Sequence, residues 1–316
     1  MSSEGLPLAV TLALAFATAR MLKENNLVRL LRACETMGNA TVICSDKTGT
    51  LTENKMTVVA GLFGTHELFG ERPASPLPHR DTATVAETLQ KLTGAFTELL
   101  RASVIRNSTA FEVQNEDGMA FSGNKTEVAL LQFAKRHLGM TSLAQEQANM
   151  QLVHVYPFDS ARKAMAVVYR TPTGYRLLVK GAAELVLRSS TGLVLAPKAE
   201  PSADTIEKAR MREEDRQVIS DTIAMFAETG LRTIAVAYRD FHLWPPAKHN
   251  GLEDNAKGFE TVVNDLTWIG VFGIQDPLRP EVAEAIRTCR AAGIQVKMVT
   301  GWCFGQTLLI PPEMLT

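Results

Sequence analysis

Apolar positions run almost without interruption from Leu6 to Ala19, about fourteen residues or roughly 21 Å of helix. A bilayer crossing takes about twenty, so this length predicts either a buried helix or half of a spanning one. From Arg20 to Met37 the pattern changes. Leu22, Leu27, Leu30 and Leu31 alternate with Lys23, Glu24, Arg29 and Arg32, the mixture expected where a helix leaves an apolar phase for water. Thr41-Val42-Ile43-Cys44 is mostly β-branched and predicts a short buried strand. Asp46 stands at its carboxyl end and Gly49 permits a sharp turn.

A polar, proline-bearing stretch from Glu71 to Arg80 predicts a loop and the start of an inserted unit. Asp81 to Asn107 carries Leu89, Leu92, Phe96, Leu99 and Leu100 at helical spacing. Glu127, favoured by the helix dipole in a first turn, leads into the helical run Val128 to Ala134. Val153 to Val155, Met165 to Tyr169 and Tyr175 to Val179 predict an antiparallel meander, with a turn at Thr171-Pro172-Thr173-Gly174. The charged segment Ile206 to Glu228 predicts a solvated helix stopped by Gly230. Leu231 to Arg239 predicts a strand, and Asp240 to Asp265 a loop. Finally, Leu266 to Gln275, Glu281 to Ala292 and Ile294 to Val299 predict strand, helix and strand. That order is a right-handed crossover in a parallel sheet and would rebuild the sheet begun before Asp46.

Composition narrows the classes of function. A chain of 316 residues holds two or three compact units. With 33 basic against 34 acidic residues there is no electrostatic argument for a nucleic-acid partner. Cys34, Cys44, Cys289 and Cys303 are scattered, without zinc-ligand spacing, and point to a reducing compartment. The opening Met1-Ser2-Ser3-Glu4 lacks the basic segment of a signal peptide.

Several side chains then carry candidate chemistry, each with a plainer alternative. Asp46 lies where open α/β sheets place ligands, and an ionised carboxylate beside a cation can attack phosphorus; it could equally cap a turn. Phe158, five residues before Lys163, could stack on a base while Lys163 faces the ring or phosphates, or the pair could be core and surface. Lys180 and Gly181 end a strand, where glycine admits close backbone approach and lysine supplies charge. Arg232, in the strand that begins at Leu231, reads from the pattern as an edge-strand cation.

Longer strings favour the chemical readings. Ser45-Asp46-Lys47-Thr48-Gly49-Thr50-Leu51-Thr52 resembles the phosphorylation motif of P-type ATPases. Glu4-Gly5-Leu6-Pro7-Leu8-Ala9-Val10 resembles the ion-binding middle of their fourth transmembrane helix, although Ser3 stands where the family carries proline. Asn25 to Arg29 and Ala33 to Ala40 resemble the calcium-pumping branch of plasma membranes and fungal vacuoles. Gly123-Asn124-Lys125-Thr126-Glu127, Tyr156 to Met165, and Lys180-Gly181-Ala182-Ala183-Glu184 resemble elements of the family's nucleotide pocket.

The resemblance implies an α/β fold with a split Rossmann-like phosphorylation domain. It also implies an inserted α+β nucleotide-binding domain and an N-terminal half transmembrane and stalk helix. The expected divisions are 1–37 for the helix and stalk, and 38–58 and 269–301 for the phosphorylation domain, with 59–268 nucleotide-binding and 302–316 an unrelated tail. It implies ATP and Mg2+ as cofactors, Ca2+ as the transported ion, and a membrane-bound parent with these domains in the cytosol. Asp46, Lys47, Thr48, Asp276, Thr300 and Gly301 would serve phosphoryl transfer, Asp276 by holding Lys47 and the phosphate-side loops. Glu127, Phe158, Lys163, Lys180, Gly181 and Arg232 would bind nucleotide, with Glu127 beside the adenine. Asp46 and Thr48 would contact Mg2+, and Glu4 would contact Ca2+.

After Thr300-Gly301 the family has aspartate, whereas this chain has Trp302, and later lysine and aspartate loops of the site are missing. The expectation is a pump fragment unable to complete a transport cycle. The alternative is an ATP-binding module or regulator without catalysis. A soluble phosphatase is disfavoured because Thr48 replaces the second carboxylate such enzymes use as acid and base.

Overall fold

The computed structural model describes residues 5–70, 83–115, 118–148, 151–195, 205–246 and 255–299. The described residues divide into two compact units, one formed by residues 5–53 and 278–299, the other by the described part of Asn54–Pro277.

The first unit opens with helices α1 (Gly5–Lys23) and α2 (Leu31–Gly38), followed by strand β1 (Val42–Asp46). In the second unit, β2 (Thr57–Phe63) and β3 (Glu67–Gly70) form a hairpin. Helix α3 (Val85–Gln90) opens on a capping box in which Thr84 and Glu87 exchange side-chain and backbone bonds, and α4 (Gly94–Ile105) opens on Thr93. A separate hairpin, β4 (Phe111–Asn115) with β5 (Gly118–Ser122), precedes α5 (Lys125–His137) and α6 (Leu143–Ala148). Then come β6 (Leu152–Asp159), β7 (Ala164–Thr171), β8 (Gly174–Ala182), α7 (Ala183–Arg188), β9 (Ser190–Val194) and β10 (Lys208–Arg210). The unit closes with α8 (Glu213–Glu228), β11 (Arg232–Phe241), α9 (Asn255–Val262) and β12 (Leu266–Gln275). Helix α10 (Val282–Ala291) and β13 (Gln295–Val299) return to the first unit.

The larger unit is built on a nine-stranded, mostly antiparallel sheet in the order β10-β9-β12-β11-β8-β7-β6, with the β2–β3 hairpin joined to β12. Side chains alternate across its strands, so each face carries its own core. One face packs Val167, Leu178, Val236 and Phe272 against Phe96 and Leu100 of α4 and Leu130 and Phe133 of α5. The other packs Val179, Ala235 and Trp268 against α7, α8 and α9 through Val186, Ile223, Phe226 and Phe259. The result is three layers, helices on both sides of one sheet.

The expected meander is present: β6, β7 and β8 pair antiparallel in sequence order. Other expectations change. Leu266–Gln275 was assigned by pattern to a parallel sheet with Ile294 to Val299, but β12 pairs with β11, β2 and β9 in the larger sheet. The parallel ladder is β1 with β13, Asp46 opposite Val299. Periodicity identifies a strand and is silent about which sheet accepts it. Divisions at 58/59 and 268/269 would therefore cut through β2 and β12, both whole strands of the larger sheet.

Strand β1 is not buried: Val42 and Ile43 are 41% and 39% exposed, because among the described residues β1 pairs only with β13. The stretch Arg20 to Met37 is broken between α1 and α2, with Asn25 at φ 63°. No helix among the described residues is long and apolar enough to cross a membrane. Within Asp81 to Asn107, two capped helices replace one, since Thr93 starts a new helix two residues after Lys91 ends the first. The charged segment beginning at Ile206 contributes strand β10 before α8 starts at Glu213. The stretch Asp240 to Asp265 includes the end of β11 and all of α9.

Candidate functional site

The first turn of α5 anchors one end of the larger sheet. Asn124 caps the helix, its Oδ1 accepting from the Thr126 amide at 3.0 Å. The next two side chains each take a cation from a neighbouring strand. Thr126 Oγ1 accepts from Arg232 Nη1 at 3.0 Å, and Glu127 Oε1 accepts from Lys180 Nζ at 2.5 Å. Arg232 opens β11 and Lys180 lies near the end of the adjacent β8.

The two cations differ in setting. Arg232 is exposed, and its guanidinium also lies 3.7 Å from Met56 Sδ. Lys180 is only 7% exposed and Glu127 only 6%. Lys180 also donates to the carbonyl of Asn107. The other carboxylate oxygen, Glu127 Oε2, accepts from Thr109 Oγ1 at 2.8 Å, Thr109 N at 3.0 Å and Ala110 N at 3.1 Å. Burial by itself would raise the Glu127 carboxyl, but the Lys180 charge and the bonds from Lys180 and Thr109 outweigh it and hold the group below its ordinary value. Burial lowers the Lys180 ammonium, with Glu127 opposing.

Phe158 and Lys163 flank the β6–β7 turn at the same end. Phe158 is 57% exposed and Lys163 is exposed. The turn is set by Asp159, whose Oδ1 accepts from the amides of Ala161 and Arg162, both at 2.9 Å. Lys163 adopts φ 47°, and its carbonyl accepts from Ala182 N at 2.9 Å, tying the turn to the end of β8. Gly181 has a packing reason. A Cβ there would stand 2.7 Å from both Ala164 Cβ and the Lys163 carbonyl oxygen, so glycine lets β7 and β8 close on each other.

In the other unit, Asp46 is exposed at the end of β1. Lys47 behind it is buried, and Gly49 takes φ 80°. Thr52, itself fully buried, closes this turn: its amide and hydroxyl both bond to the Lys47 carbonyl, at 3.1 and 3.2 Å. Arg279 clamps the same turn, its Nη2 donating to Gly49 O at 2.9 Å and its amide to Leu51 O at 3.0 Å. Thr48 is exposed in this turn.

Asp276 belongs to the larger unit, where its Oδ1 accepts from the Lys55 amide at 3.2 Å and so joins the entry to β2 with the exit from β12. Glu4, Thr300 and Gly301 lie outside the described residues. Among the described residues no group of three or more His, Cys, Asp or Glu side chains converges on a metal-sized site.

Pattern reading did not single out Asn107, Thr109, Met56, Thr52 or Arg279. The only local signal is the polar run Asn107-Ser108-Thr109 directly after an apolar helix. Arg279 meets Gly49 across 230 positions of sequence, and nothing local announces that contact.

The larger unit thus holds two cations against the first turn of α5, and the other unit holds Asp46 at the head of a turn clamped by Arg279. The family described as P-type ATPase, cytoplasmic domain N, matches residues 95–281, and the chain belongs to the P-type ATPases. Calcium-transporting ATPase 2 of Cryptococcus neoformans var. grubii is 44% identical over 313 residues, covering 94% of this chain. Calcium-transporting ATPase 2 of Schizosaccharomyces pombe is 41% identical and plasma membrane calcium-transporting ATPase 3 of Homo sapiens is 43% identical, each again over 94% of this chain. The chain spans 22%, 24% and 23% of the lengths of these three relatives, respectively.

Proposed function

We propose that the chain is a cytoplasmic segment of a calcium-transporting P-type ATPase, that its larger unit binds ATP at the α5 end of the sheet, and that Asp46 accepts the terminal phosphoryl group. The observation that carries this reading is the pairing of Thr126 and Glu127, neighbours in one helical turn, with Arg232 and Lys180. Cations from two adjacent strands are thereby held in fixed positions. Together with the exposed Phe158 ring and Lys163, this donor set suits a ligand that is aromatic at one end and polyanionic at the other.

Adenine stacks on Phe158, and Lys163 and Arg232 meet the phosphates. Lys180 presents charge beneath the ring, supported by Glu127, and Gly181 keeps the strands close enough for that placement. In the transfer step a carboxylate oxygen of Asp46 attacks the terminal phosphorus. The bond to the bridging oxygen breaks, and ADP departs with the electron pair. Asp46 and Thr48 would offer hard oxygen ligands to Mg2+, which would supply charge neutralisation for the phosphates. Lys47, Thr300 and Gly301 serve the phosphate side. In the membrane-bound parent the cargo is Ca2+, with Glu4 among its oxygen ligands.

The full chain, incubated with calcium and terminally labelled ATP, is expected to take up an acid-stable, hydroxylamine-sensitive label that Asp46→Asn abolishes. ATP binding without label would support the second reading, a nucleotide-binding module without transfer. Phe158→Ala is expected to weaken ATP binding about 2- to 12-fold. Unchanged affinity would overturn the proposed pocket.

A further inference from the structure

Toward the end of β8 away from Lys180, the sheet carries a row of cations. Tyr169 of β7, Arg176 of β8 and Asp240 of β11 stand in register on three adjacent strands, a span of about 10 Å at the usual strand spacing. Arg176 lies 4.7 Å from the Tyr238 ring centroid and binds Asp240 through Nε at 2.6 Å and Nη2 at 3.0 Å. Arg106, which follows the last residue of α4, places its guanidinium 4.8 Å from the Tyr169 centroid. Lys208 of β10 reaches the other end of the row, its Nζ 5.8 Å from the Tyr238 centroid and 3.9 Å from Asp240 Oδ2.

Three cations thus share one carboxylate. The Arg176–Asp240 pair has a structural role, because it ties β8 to β11. The other two cations are not used in that way. The Arg106 guanidinium has no hydrogen bond or ion pair among the described residues, and Lys208 has only its 3.9 Å approach to Asp240. The dipole of α4 favours a cation at its end, but it does not require one beside Arg176. Like charges held together repel, and an anion laid across the row relieves that repulsion.

The row is also ordered and open. Cation–π attraction holds the charged groups on ring faces, so less side-chain freedom is lost when a ligand binds. The side chains of Arg176, Asp240 and Lys208 are 22%, 40% and 54% exposed. Burial pushes the Tyr238 phenol up to about 12, so the ring brings no negative charge of its own near neutral pH.

We infer that this row is a binding site for a soluble polyphosphate, a small molecule carrying several phosphate groups, and that it is separate from the nucleotide site. Arg106, Arg176 and Lys208 donate to phosphate oxygens, while Asp240 fixes Arg176. Because the row extends over three strands, a single phosphate group cannot meet all of it, whereas phosphate groups linked in one molecule can.

The test is calorimetric titration of the full chain with myo-inositol hexakisphosphate, with inorganic phosphate for comparison. Saturable binding of the hexakisphosphate is expected, with inorganic phosphate much weaker. Arg106→Gln and Lys208→Gln should each weaken hexakisphosphate binding about 3- to 10-fold. Arg188→Gln, which removes an exposed cation from α7 on the opposite face of the sheet, should change it less than about twofold.

No binding by the unsubstituted chain, or wild-type affinity in Arg106→Gln and Lys208→Gln, would overturn the inference. So would an equal loss in Arg188→Gln, since that result marks net charge alone. A loss in Lys163→Gln larger than in Arg106→Gln would also overturn it, because it places the anion at the nucleotide site. Arg106 and Lys208 make no close polar side-chain contact, so both variants should melt with wild type, and either one decides the matter if the other fails to fold.

Discussion

Lys180→Met isolates the buried ion pair on which the larger unit depends. Methionine fills much of the lysine's volume, so the principal loss is the charge facing Glu127, which is 6% exposed. Removing one partner of a buried pair costs about 3 to 5 kcal/mol, because the other charge stays buried and unpaired. For a unit spanning Asn54–Pro277, each kcal/mol moves the midpoint by roughly 2 to 4 °C, which gives a fall of about 6 to 20 °C.

The sign of the pH dependence is also fixed. Without Lys180, burial is opposed only by the Thr109 bonds, and the Glu127 carboxyl rises from its depressed value. The penalty is then largest where the unfolded carboxylate is ionised, near neutral pH, and shrinks toward about pH 4. Adding Glu127→Gln removes the stranded charge while keeping an oxygen for Thr109 and Ala110, and should recover about half of the loss or more. Differential scanning calorimetry of wild type, single and double variants at neutral and acidic pH measures each difference. A Lys180→Met protein that melts with wild type, or a double variant less stable than the single, would refute the reasoning.

Two further perturbations follow from the same geometry. Gly181→Ala brings a methyl to 2.7 Å from Ala164 Cβ and the Lys163 carbonyl; it should cost about 1 to 3 kcal/mol in chemical denaturation and weaken ATP binding by moving Lys163. A variant as stable as wild type would show that the strands have slack there. In the unsubstituted chain, the Glu127 carboxyl lies below its ordinary value, so its stabilising share is complete above the usual carboxylate range and is lost as pH falls through the lower folded value. Acid titration of the melting midpoint should therefore show a steeper fall in wild type than in Glu127→Gln, and parallel curves would contradict that assignment.

Local structure was largely legible in the sequence, and long-range placement was not. The α5 helix announces itself through Asn124 as cap, Glu127 in its first turn and a basic last turn of Lys135, Arg136 and His137. The β7–β8 hairpin follows from two strand-like runs around a turn ending at Gly174, which takes φ 149°. Sheet membership is different, because a strand's alternation says which residues share a face and nothing of the neighbour it meets. That is why β12 read as part of the Asp46 sheet although it lies between β9 and β11. The short strand β10 was hidden in a charged segment that resembles a solvated helix.

The site divides in the same way. Motif strings marked Asp46, Glu127 and Lys180, since each residue sits within a run of distinctive neighbours. The groups that orient them were not marked. Asn107 meets Lys180 across 73 positions, and its role depends on a backbone carbonyl that no side-chain pattern encodes. Burial was invisible too: Lys180 reads as a surface cation but is held inside by one carboxylate and one carbonyl.

The central claim is that the α5 end of the larger sheet is an ATP site, and the most direct measurement is a titration of isotopically labelled chain with ATP followed by NMR. The account predicts saturable shifts at the Phe158 ring, Lys163, Lys180 and Arg232, with no change in a second surface groove, lined by Arg188 of α7 and Gln217 of α8. Shifts confined to that groove, or none at saturating ATP, would contradict it.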